Sequence, residues 1–285
     1  MVGWFRRRRL WRFLFVILLF SGAAAAAAGE SAGLPARDWN LRNLERLRAL
    51  PPDPLVFAVL GDNRGNFPVF EGLLRQMARD PSLQFAIHLG DMVEKGELEQ
   101  YRPFFRSLEQ YLRLPMLAVI GNHELAGDQE GKLYTAIFGP RNYAFYLGSH
   151  YFIMFDDAAK SGPEGEQYRW LEAELKKGLR CKTRLVFLHL PLHDPRGGKY
   201  RHCLLPDCGL RLTALFNKYR VTRVFAAHIH SFFEGRWDGV PFTITAGAGA
   251  KLYGADPQHF FYHYLKVTVT GDRVKTQVQR LTEGP

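Results

Sequence analysis

Cysteine is scarce in this sequence. Three residues among 285 are too few, and too widely spaced, to form the paired knuckles of a cysteine-ligated zinc site. Cys203 and Cys208 are separated by four residues, a spacing compatible either with a small disulfide loop or with two reduced thiols, and Cys181 is the odd thiol. The chain also lacks the Gly-x-Ser-x-Gly motif of serine hydrolases, and Ser231 has no evident acidic partner. A serine or cysteine hydrolase is therefore disfavoured.

A basic stripe of the kind that follows a nucleic-acid backbone is also missing. The formal net charge is +10 at pH 7, but the first 28 residues contain five arginines and no acid. The rest of the chain holds 33 basic and 28 acidic side chains, which are scattered along it. We therefore expect no nucleic-acid partner. Hydrophobic residues make up 47% of the chain, which is enough for a sizeable core in one large domain.

The N-terminus has the order of a secretory signal peptide over residues 1–28. Arg6–Arg9 precede the apolar run Phe13–Phe20, and the small residues Ala23–Ala28 follow. This order predicts a protein exported to the periplasm or secreted. The alternative is an uncleaved membrane anchor at residues 10–28, because the 16 residues from Phe13 to Ala28 carry no charge and fall just short of spanning length.

After a polar lead-in at residues 29–54, strand-like and helical patterns alternate through a predicted domain at residues 55–285. Helices are predicted at Leu41–Leu50, Phe67–Arg79, Glu97–Leu112, Gln129–Phe138, Glu164–Lys177 and Leu210–Tyr219. Strands are predicted at Leu55–Leu60, Phe85–Leu89, Met116–Ile120, Tyr143–Leu147, Tyr151–Phe155, Leu185–Leu188, Val224–Ala226, Phe242–Ala246, Phe260–Val269 and Val274–Val278. The pattern predicts one α/β domain with two packed sheets and helices outside. Phe232, Phe233 and Trp237 are expected in its core.

Five short polar clusters each follow a predicted strand. They are Gly61–Arg64, Gly90–Asp91, Gly121–Glu124, His189 with Pro191, and Ala227–His230. Side chains at the carboxyl ends of adjacent strands converge on one crevice of an α/β sheet. Each cluster alone is a weak signal, but their ordered combination indicates one functional site. His88, on the strand before Asp91, is expected to be a hydrogen-bonded interior residue.

The residue types in these clusters suit two divalent metal ions. Such a pair clamps a phosphoryl group and lowers the pKa of a shared water, and carboxylate, carboxamide and imidazole ligands suit manganese, iron or zinc. Asp91 is the natural bridge, since a carboxylate offers one oxygen to each ion. The remaining candidate ligands are Asp62 and His230 for the first metal, and Asn122, His189 and His228 for the second.

In these clusters the chain resembles the calcineurin-like metallophosphoesterases. Their usual pattern is Asp-x-His, Gly-Asp, Gly-Asn-His-Asp/Glu, a lone His and Gly-His-x-His, and the resemblance covers roughly Leu55 to Val278. It implies a four-layer α/β/β/α sandwich of two mixed sheets. It also implies hydrolysis of a small phosphomonoester or phosphodiester, with a hydroxide that bridges two metals as the nucleophile. The catalytic residues would be His123, as proton donor or transition-state stabiliser, and Glu124, which would hold it.

Two residues depart from this pattern. Ala227 replaces a glycine, which is tolerated if the backbone there is not left-handed. Arg64 stands where the family has a metal-binding histidine, and a guanidinium cannot ligate a cation. The first metal would then bind weakly, unless Asn63 turns inward; Arg64 would be available to hold a substrate phosphate through paired hydrogen bonds.

Two further alternatives remain open from the sequence. Asn122 and His193 are candidate substrate-binding residues; His193, four residues after His189, either lines the pocket or simply sits in the loop. The departure at Arg64 also permits a second class of function, a catalytically degenerate family member that binds a phosphorylated or envelope ligand without turnover.

Overall fold

The computed structural model describes residues 33–128, 130–159, 161–198 and 201–282. The signal peptide or anchor predicted at residues 1–28 lies outside these residues, so export stays a prediction. None of the helices in the described part of the chain has the length and apolar character needed to cross a membrane.

Within the described residues the chain forms eleven strands and six helices. The strands are β1 (Leu55–Leu60), β2 (Phe85–His88), β3 (Met116–Ala118), β4 (Tyr143–Leu147), β5 (His150–Met154), β6 (Thr183–Phe187), β7 (Arg223–Ala226), β8 (Phe232–Trp237), β9 (Val240–Thr245), β10 (His263–Thr270) and β11 (Arg273–Arg280). The helices are α1 (Trp39–Leu47), α2 (Phe67–Ala78), α3 (Leu98–Tyr111), α4 (Lys132–Phe138), α5 (Gly165–Gly178) and α6 (Pro206–Lys218).

The strands form two mixed sheets. One has five strands in the order β11-β10-β1-β2-β3, and the other has six in the order β4-β5-β6-β7-β9-β8. Each sheet contains a run of parallel strands: β1, β2 and β3 in the first, where β3 is an edge, and β5, β6, β7 and β9 in the second. Antiparallel strands complete the other edges: β10 and β11 in the first sheet, and β4 and β8 in the second. The carboxyl ends of the parallel strands therefore carry the polar clusters of both sheets.

Alternating side chains on the strands build a sandwich of four layers. On β1, Phe57 and Val59 face the space between the sheets, whereas Ala58 and Leu60 face α2, α3 and α4. The outer face of the six-stranded sheet packs against α5 and α6. Because both faces of parallel strands such as β1 and β2 are buried, these strands read as continuous apolar runs in the sequence. The four-layer α/β/β/α prediction is confirmed.

A layer of aromatic rings fixes the two sheets against each other. Phe57 stacks on Phe85 with ring centroids 4.7 Å apart, and Phe187 stacks on Phe225 at 5.0 Å. Phe57 also meets Phe187 edge-on across the two sheets at 6.2 Å. All four are fully buried, and burial of each ring contributes about 1.5–3 kcal/mol. The strand ends of both sheets are thereby held at one fixed separation.

The lead-in segment contributes α1, which packs on the five-stranded sheet. The indole Nε1 of Trp39 donates a hydrogen bond of 2.7 Å to the carbonyl of Met116, and Asn40 bonds both backbone groups of Ala118. Leu47 is fully buried between the sheets. Residues 39–47 are therefore part of the folded domain and contribute to its hydrophobic core.

Some boundaries and one strand differ from the sequence predictions. The strand β8 was not predicted, because its charged and glycine residues at 234–236 interrupt the apolar pattern; it lies at the edge of its sheet. Trp237 is buried in the core, as expected, whereas Phe232 and Phe233 are half-buried and pack against the core. Cys203 and Cys208 are thiols and not a disulfide, which matches the second of the two alternatives.

Candidate metal centre

The predicted ligands come together where the parallel strands of the two sheets end. They follow β1 (Asp62), β2 (Asp91), β3 (Asn122), β6 (His189) and β7 (His228 and His230). The first three come from the five-stranded sheet and the last three from the six-stranded sheet. The site therefore lies across the sandwich, at the end where both sheets present their carboxyl termini.

Two groups of ligand atoms share one carboxylate. Asp91, His189 and His228 form one group, and Asp62, Asp91 and His230 form the other; within each group the ligand atoms all lie within 4.8 Å of one another. All are buried except His228, which is half-buried. The shared position of Asp91 is the arrangement that the sequence predicts for a bridging residue.

Asn122 lies beside the first of these groups. Its Oδ1 is 3.1 Å from Nε2 of His189, and that same nitrogen is 3.4 Å from Oδ1 of Asp91. A carboxamide oxygen at this position adds an acceptor without adding charge. The structure therefore brings together all six predicted metal ligands.

Backbone carbonyls orient two of the imidazoles. Nδ1 of His189 lies 2.8 Å from the carbonyl oxygen of Leu89, and Nδ1 of His230 lies 2.8 Å from that of Lys251. In the neutral imidazole, an Nδ1–H that donates to a carbonyl leaves Nε2 without a proton, and this is the form that ligates metals. In His230 this nitrogen is 3.4 Å from Oδ1 of Asp62.

The charges at the site hold protons that a cation would displace. Burial opposes a charged imidazole at His189, but the carboxylates of Asp91, Asp62 and Asp157 outweigh it and raise its pKa to about 10. Burial likewise opposes the charge on Asp91, and the charge of His189 overcomes it, so the pKa of Asp91 lies below its usual range. Because metal ligands bind in their deprotonated forms, cation binding here would release protons.

Two buried polar atoms of the site lack hydrogen-bond partners among the described residues. They are Oδ1 of Asp62 and Nε2 of His228. A buried polar atom without a partner is costly, so each such atom needs an explanation. Divalent cations fit this donor set of carboxylate, carboxamide and imidazole groups, and they would satisfy the carboxylate oxygen that faces His230.

The backbone is left-handed at five non-glycine residues of these clusters. The φ angles are 62° at Asp62, 41° at Arg64, 56° at Asp91, 68° at His228 and 48° at His230. Such conformations are uncommon outside glycine and collect at functional sites. Ala227 is not among them, and it is fully buried. Because the backbone at position 227 is not left-handed, alanine is tolerated there in place of glycine.

Glu124 holds the backbone of two loops together. Its carboxylate accepts hydrogen bonds from the backbone N–H groups of Gly121 at 2.7 Å, Asp91 at 2.8 Å and Met92 at 2.8 Å. Burial, reinforced by the charge of Asp91, raises the pKa of Glu124 to about 7 against these donors. The expectation that Glu124 holds His123 is therefore wrong: its carboxylate fixes the loops after β2 and β3, including the backbone of the bridging candidate.

His123 is held instead by a carbonyl from the loop after β2. Its Nδ1 lies 2.7 Å from the carbonyl oxygen of Glu94, and its Nε2 lies 3.9 Å from Oδ2 of Asp91. The side chain is 21% exposed, whereas that of Asp91 is buried. His123 therefore stands at the rim of the centre with one nitrogen directed towards it, a position suited to exchange a proton with a bound ligand.

Arg64 pairs with Glu94 and does not approach as a ligand. Its Nε donates to the Glu94 carboxylate at 2.9 Å, and a second guanidinium nitrogen contacts the other carboxylate oxygen. Asn63 does not turn inward, because its amide donates to the carbonyl of Met92 and its oxygen faces His88 at 3.0 Å. His88 is a hydrogen-bonded interior residue, as expected.

His193 lies away from the candidate ligands. Its Nε2 is 3.0 Å from Oγ1 of Thr213 on α6, and its ring centroid is 6.2 Å from that of Trp237. Thr213 lies on the helix α6, which covers the outer face of the six-stranded sheet, and Trp237 lies on β8 of that sheet. These contacts favour the interpretation that His193 belongs to the loop and its packing. Its role in substrate binding stays a prediction.

Three residues near the site were missed in the sequence. The Asp157 carboxylate accepts the backbone N–H groups of His189 at 2.8 Å and of Leu190 at 3.1 Å. The rings of His202 and Tyr253 lie 5.9 Å and 5.2 Å from the imidazoles of His228 and His230. For Asp157 a signal exists, since it follows a buried strand like the other clusters. For the two loop residues the sequence offers none.

A family model and this geometry agree. The model for calcineurin-like phosphoesterases matches residues 55–232, which include all six candidate ligands. The chain belongs to the calcineurin-like phosphoesterase family. Its two mixed sheets and the position of the site at their carboxyl ends are those of a family member.

Several acid phosphatases are related to the chain. It is 25% identical over 229 residues to acid phosphatase type 7 of Mus musculus, which covers 69% of this chain and 50% of that protein. It is 28% identical over 159 residues to purple acid phosphatase 13 of Arabidopsis thaliana, which covers 48% of this chain and 29% of that protein. The chain thus spans half or less of the length of these two relatives.

Solved structures share the fold at low sequence identity. A purple acid phosphatase from yellow lupin (Lupinus luteus) seeds superposes with a TM-score of 0.65 at 16% identity, over 83% of this chain and 53% of that one. GAP50, described as the anchor in the inner membrane complex of Plasmodium, superposes with a TM-score of 0.60 at 13% identity, over 81% and 86% of the two chains. At these identities the likeness extends to the fold alone.

Proposed function

We propose that the chain hydrolyses a small phosphate ester with two divalent cations. The observation that carries this proposal is the position of Asp91, whose carboxylate belongs to both groups of ligand atoms. When bound, the cations would polarise the phosphoryl oxygens and lower the pKa of a water held between them enough to make it the nucleophile. Manganese, iron and zinc all suit these ligands.

The two groups of candidate ligands would each hold one cation. Asp62 and His230 would hold one cation and His189, His228 and Asn122 the other, with Asp91 between them. His123 at the rim would give a proton to the leaving oxygen or stabilise its charge. Its ring is already aimed by the carbonyl of Glu94, so it needs no rearrangement to act.

Arg64 would contribute to the site by charge and not by ligation. Its guanidinium is paired with Glu94, so it is a weaker phosphate clamp than an unpaired arginine would be. The first cation then relies on Asp62, Asp91 and His230. Three protein ligands still leave a coordination position open for water or substrate, so activity is expected with weaker affinity for that ion.

The names of the relatives favour a phosphomonoester as substrate. The curated relatives include proteins named acid phosphatase and purple acid phosphatase, and one of them is named as an Fe(3+)-Zn(2+) enzyme. We extend the phosphatase activity to this chain as part of the proposal. A small phosphorylated compound in the periplasm or outside the cell would be the partner, in agreement with the signal peptide predicted at residues 1–28.

The alternative is a family member that binds a phosphorylated or envelope ligand without turnover. The pairing of Arg64 with Glu94, in place of a ligating side chain, motivates it. A Plasmodium protein that shares the fold is described as an anchor in the inner membrane complex, and a fold does not by itself determine a function.

Metal content and hydrolysis distinguish the two functions. The full chain would be analysed for bound metals and assayed in added manganese with an aryl phosphomonoester and an aryl phosphodiester. We expect two equivalents of metal, preferred hydrolysis of the monoester, and a loss on the order of 100-fold or more in Asp91→Asn, because the charge of the bridge stabilises both cations. Asp272→Asn, which changes an exposed carboxylate in the turn between β10 and β11, is the matched control. One equivalent or none, with no turnover across a metal series, would sink the catalytic proposal and support the binding function.

A further inference from the structure

The loop after β9, residues 246–262, forms a wall beside the Asp62–His230 group. The backbone N–H of Ala250 donates a hydrogen bond of 2.7 Å to the carbonyl of Asp62. The carbonyl of Lys251 lies 2.8 Å from Nδ1 of His230. Because the loop is bonded to both candidate ligand segments, the side chains that it carries are held in a fixed position relative to the site.

Tyr253, on this loop, presents an aromatic ring to solvent next to a candidate ligand. Its ring stacks on the imidazole of His230, with centroids 5.2 Å apart and an angle of 21° between the planes. The residue is nevertheless 63% exposed, the highest value among the large hydrophobic side chains that are exposed in the described part of the chain. A ring that is held in place but open to water can stack with a second ring at little conformational cost.

A cavity of about 300 Å³ borders this ring. Its polar and aromatic lining includes Arg64, Asn66, Glu94, Lys251, Tyr253 and Tyr262. The charge of Arg64 is balanced by Glu94, while the ammonium group of Lys251 has no ion-pair partner among the described residues. The lining therefore combines aromatic surface with one unbalanced positive charge.

The size of the cavity restricts what it can hold. Its volume lies at the lower end of the range for small-molecule pockets, which fits a single ring system and not a long acyl chain. A phosphate bound to the cation that Asp62 and His230 would hold would carry its ester group towards Tyr253, because the Tyr253 ring stacks on that of His230. A short alkyl ester would reach the same cavity but would cover less of the tyrosine face than a planar ring.

We propose that Tyr253 and this cavity bind the planar leaving group of the substrate, which is a small aryl or nucleoside phosphate. This proposal rests on the proposed function for the position of the phosphate. Tyr253 supplies the stacking surface, and Lys251 attracts negative charge on the same ligand. Such a cavity would select substrates by the shape of the leaving group, because all phosphate esters share the phosphate.

The test compares two phosphonates that cannot be hydrolysed, phenylphosphonate and propylphosphonate. Their binding to the full chain with manganese would be measured by calorimetry in the wild type, Tyr253→Phe and Tyr253→Ala, together with manganese binding to each variant. We expect the wild type and Tyr253→Phe to prefer phenylphosphonate, and Tyr253→Ala to bind it about 3- to 10-fold more weakly, since an aromatic pair contributes this much. The affinity for propylphosphonate should stay within about twofold.

Each contrary outcome has a distinct meaning. Equal wild-type affinity for the two phosphonates overturns the stacking proposal and leaves the proposed function intact. Equal weakening of both in Tyr253→Ala also overturns it, because the ring would then act only through His230. Absence of binding by either phosphonate to the metal-loaded chain overturns the proposed function together with this inference. A nucleoside phosphonate in the same series identifies whether a base or a single aryl ring is preferred.

Discussion

The buried imidazole of His263 makes the stability of the fold depend on pH in a calculable way. It lies on β10, where its Nδ1 is 2.9 Å from the carbonyl oxygen of Phe261 and its Nε2 is 3.0 Å from Oγ1 of Thr245. Burial lowers its pKa from the ordinary 6.5 to about 4. The unfolded chain therefore takes up a proton between pH 6.5 and 4 that the folded chain refuses. Stability contributed by the neutral imidazole is present above pH 6.5 and is lost as the pH falls through this window.

The size of the effect follows from the two pKa values of His263. The free energy of unfolding falls by about 2 kcal/mol between pH 8 and pH 5 through this residue alone. Other groups titrate in the same range, so the effect is isolated by comparing the wild type with His263→Gln, which cannot titrate. We expect urea unfolding to show that the wild type loses about 2 kcal/mol more than the variant over this interval.

A non-titrating change in the same environment serves as the control. Phe232 lies edge-on to the His263 ring at 5.7 Å, and Phe232→Leu should lower stability by similar amounts at pH 8 and pH 5. If the wild type and His263→Gln lose the same free energy between the two pH values, the reasoning from burial is refuted.

Two further predictions concern the candidate centre. In Glu124→Gln, an amide NH₂ would face backbone N–H donors such as those of Asp91 and Gly121. We therefore expect urea unfolding to show that the free energy of unfolding falls by about 2–4 kcal/mol. Glu109→Gln, on the exposed face of α3, is the control, and equal stability of the two variants would contradict the role of Glu124. Arg64→His places an imidazole beside the Asp62–His230 group, so we expect calorimetry to show the weaker manganese ion binding about tenfold or more tightly. Unchanged affinities for both ions would show that position 64 does not face the centre.

The elements of the core could be predicted from the sequence because the strands are buried on both faces. The apolar run Leu55–Leu60 has the same bounds in the structure, and the helix predicted at Phe67–Arg79 ends one residue earlier. Where the apolar pattern breaks, prediction fails: α6 begins at Pro206, four residues before the predicted start, because proline in the first turn was not used as a helix start. The pattern predicts two packed sheets with helices outside, and the family resemblance adds that they form a four-layer α/β/β/α sandwich.

The metal ligands could also be predicted, because each follows a strand and strand ends converge by topology. The contacts among the surrounding side chains could not. Arg64 and Glu94 are separated by 30 residues in the sequence, and either could have faced the centre until the loops were placed. His193 shows the opposite case: four residues after a ligand, it turns away towards Thr213. In both cases the course of the loop decides where the side chain points, and the spacing of residues in the sequence does not encode that course.

At position 64 the chain departs from the family pattern only in the side chain, because the backbone there is fixed by main-chain hydrogen bonds that any residue other than proline would make. The N–H of Arg64 donates to the carbonyl of Asp91 at 3.0 Å, and that of Asp62 donates to the carbonyl of Gly90 at 3.1 Å. A left-handed conformation costs on the order of 1 kcal/mol at each non-glycine residue, so these bonds and the packed strands beneath them must hold the loop in place. The same backbone that aims Asp62 therefore persists whether position 64 carries a guanidinium or an imidazole. Under the proposed function, the arginine then changes the affinity of the chain for the first cation and not its fold.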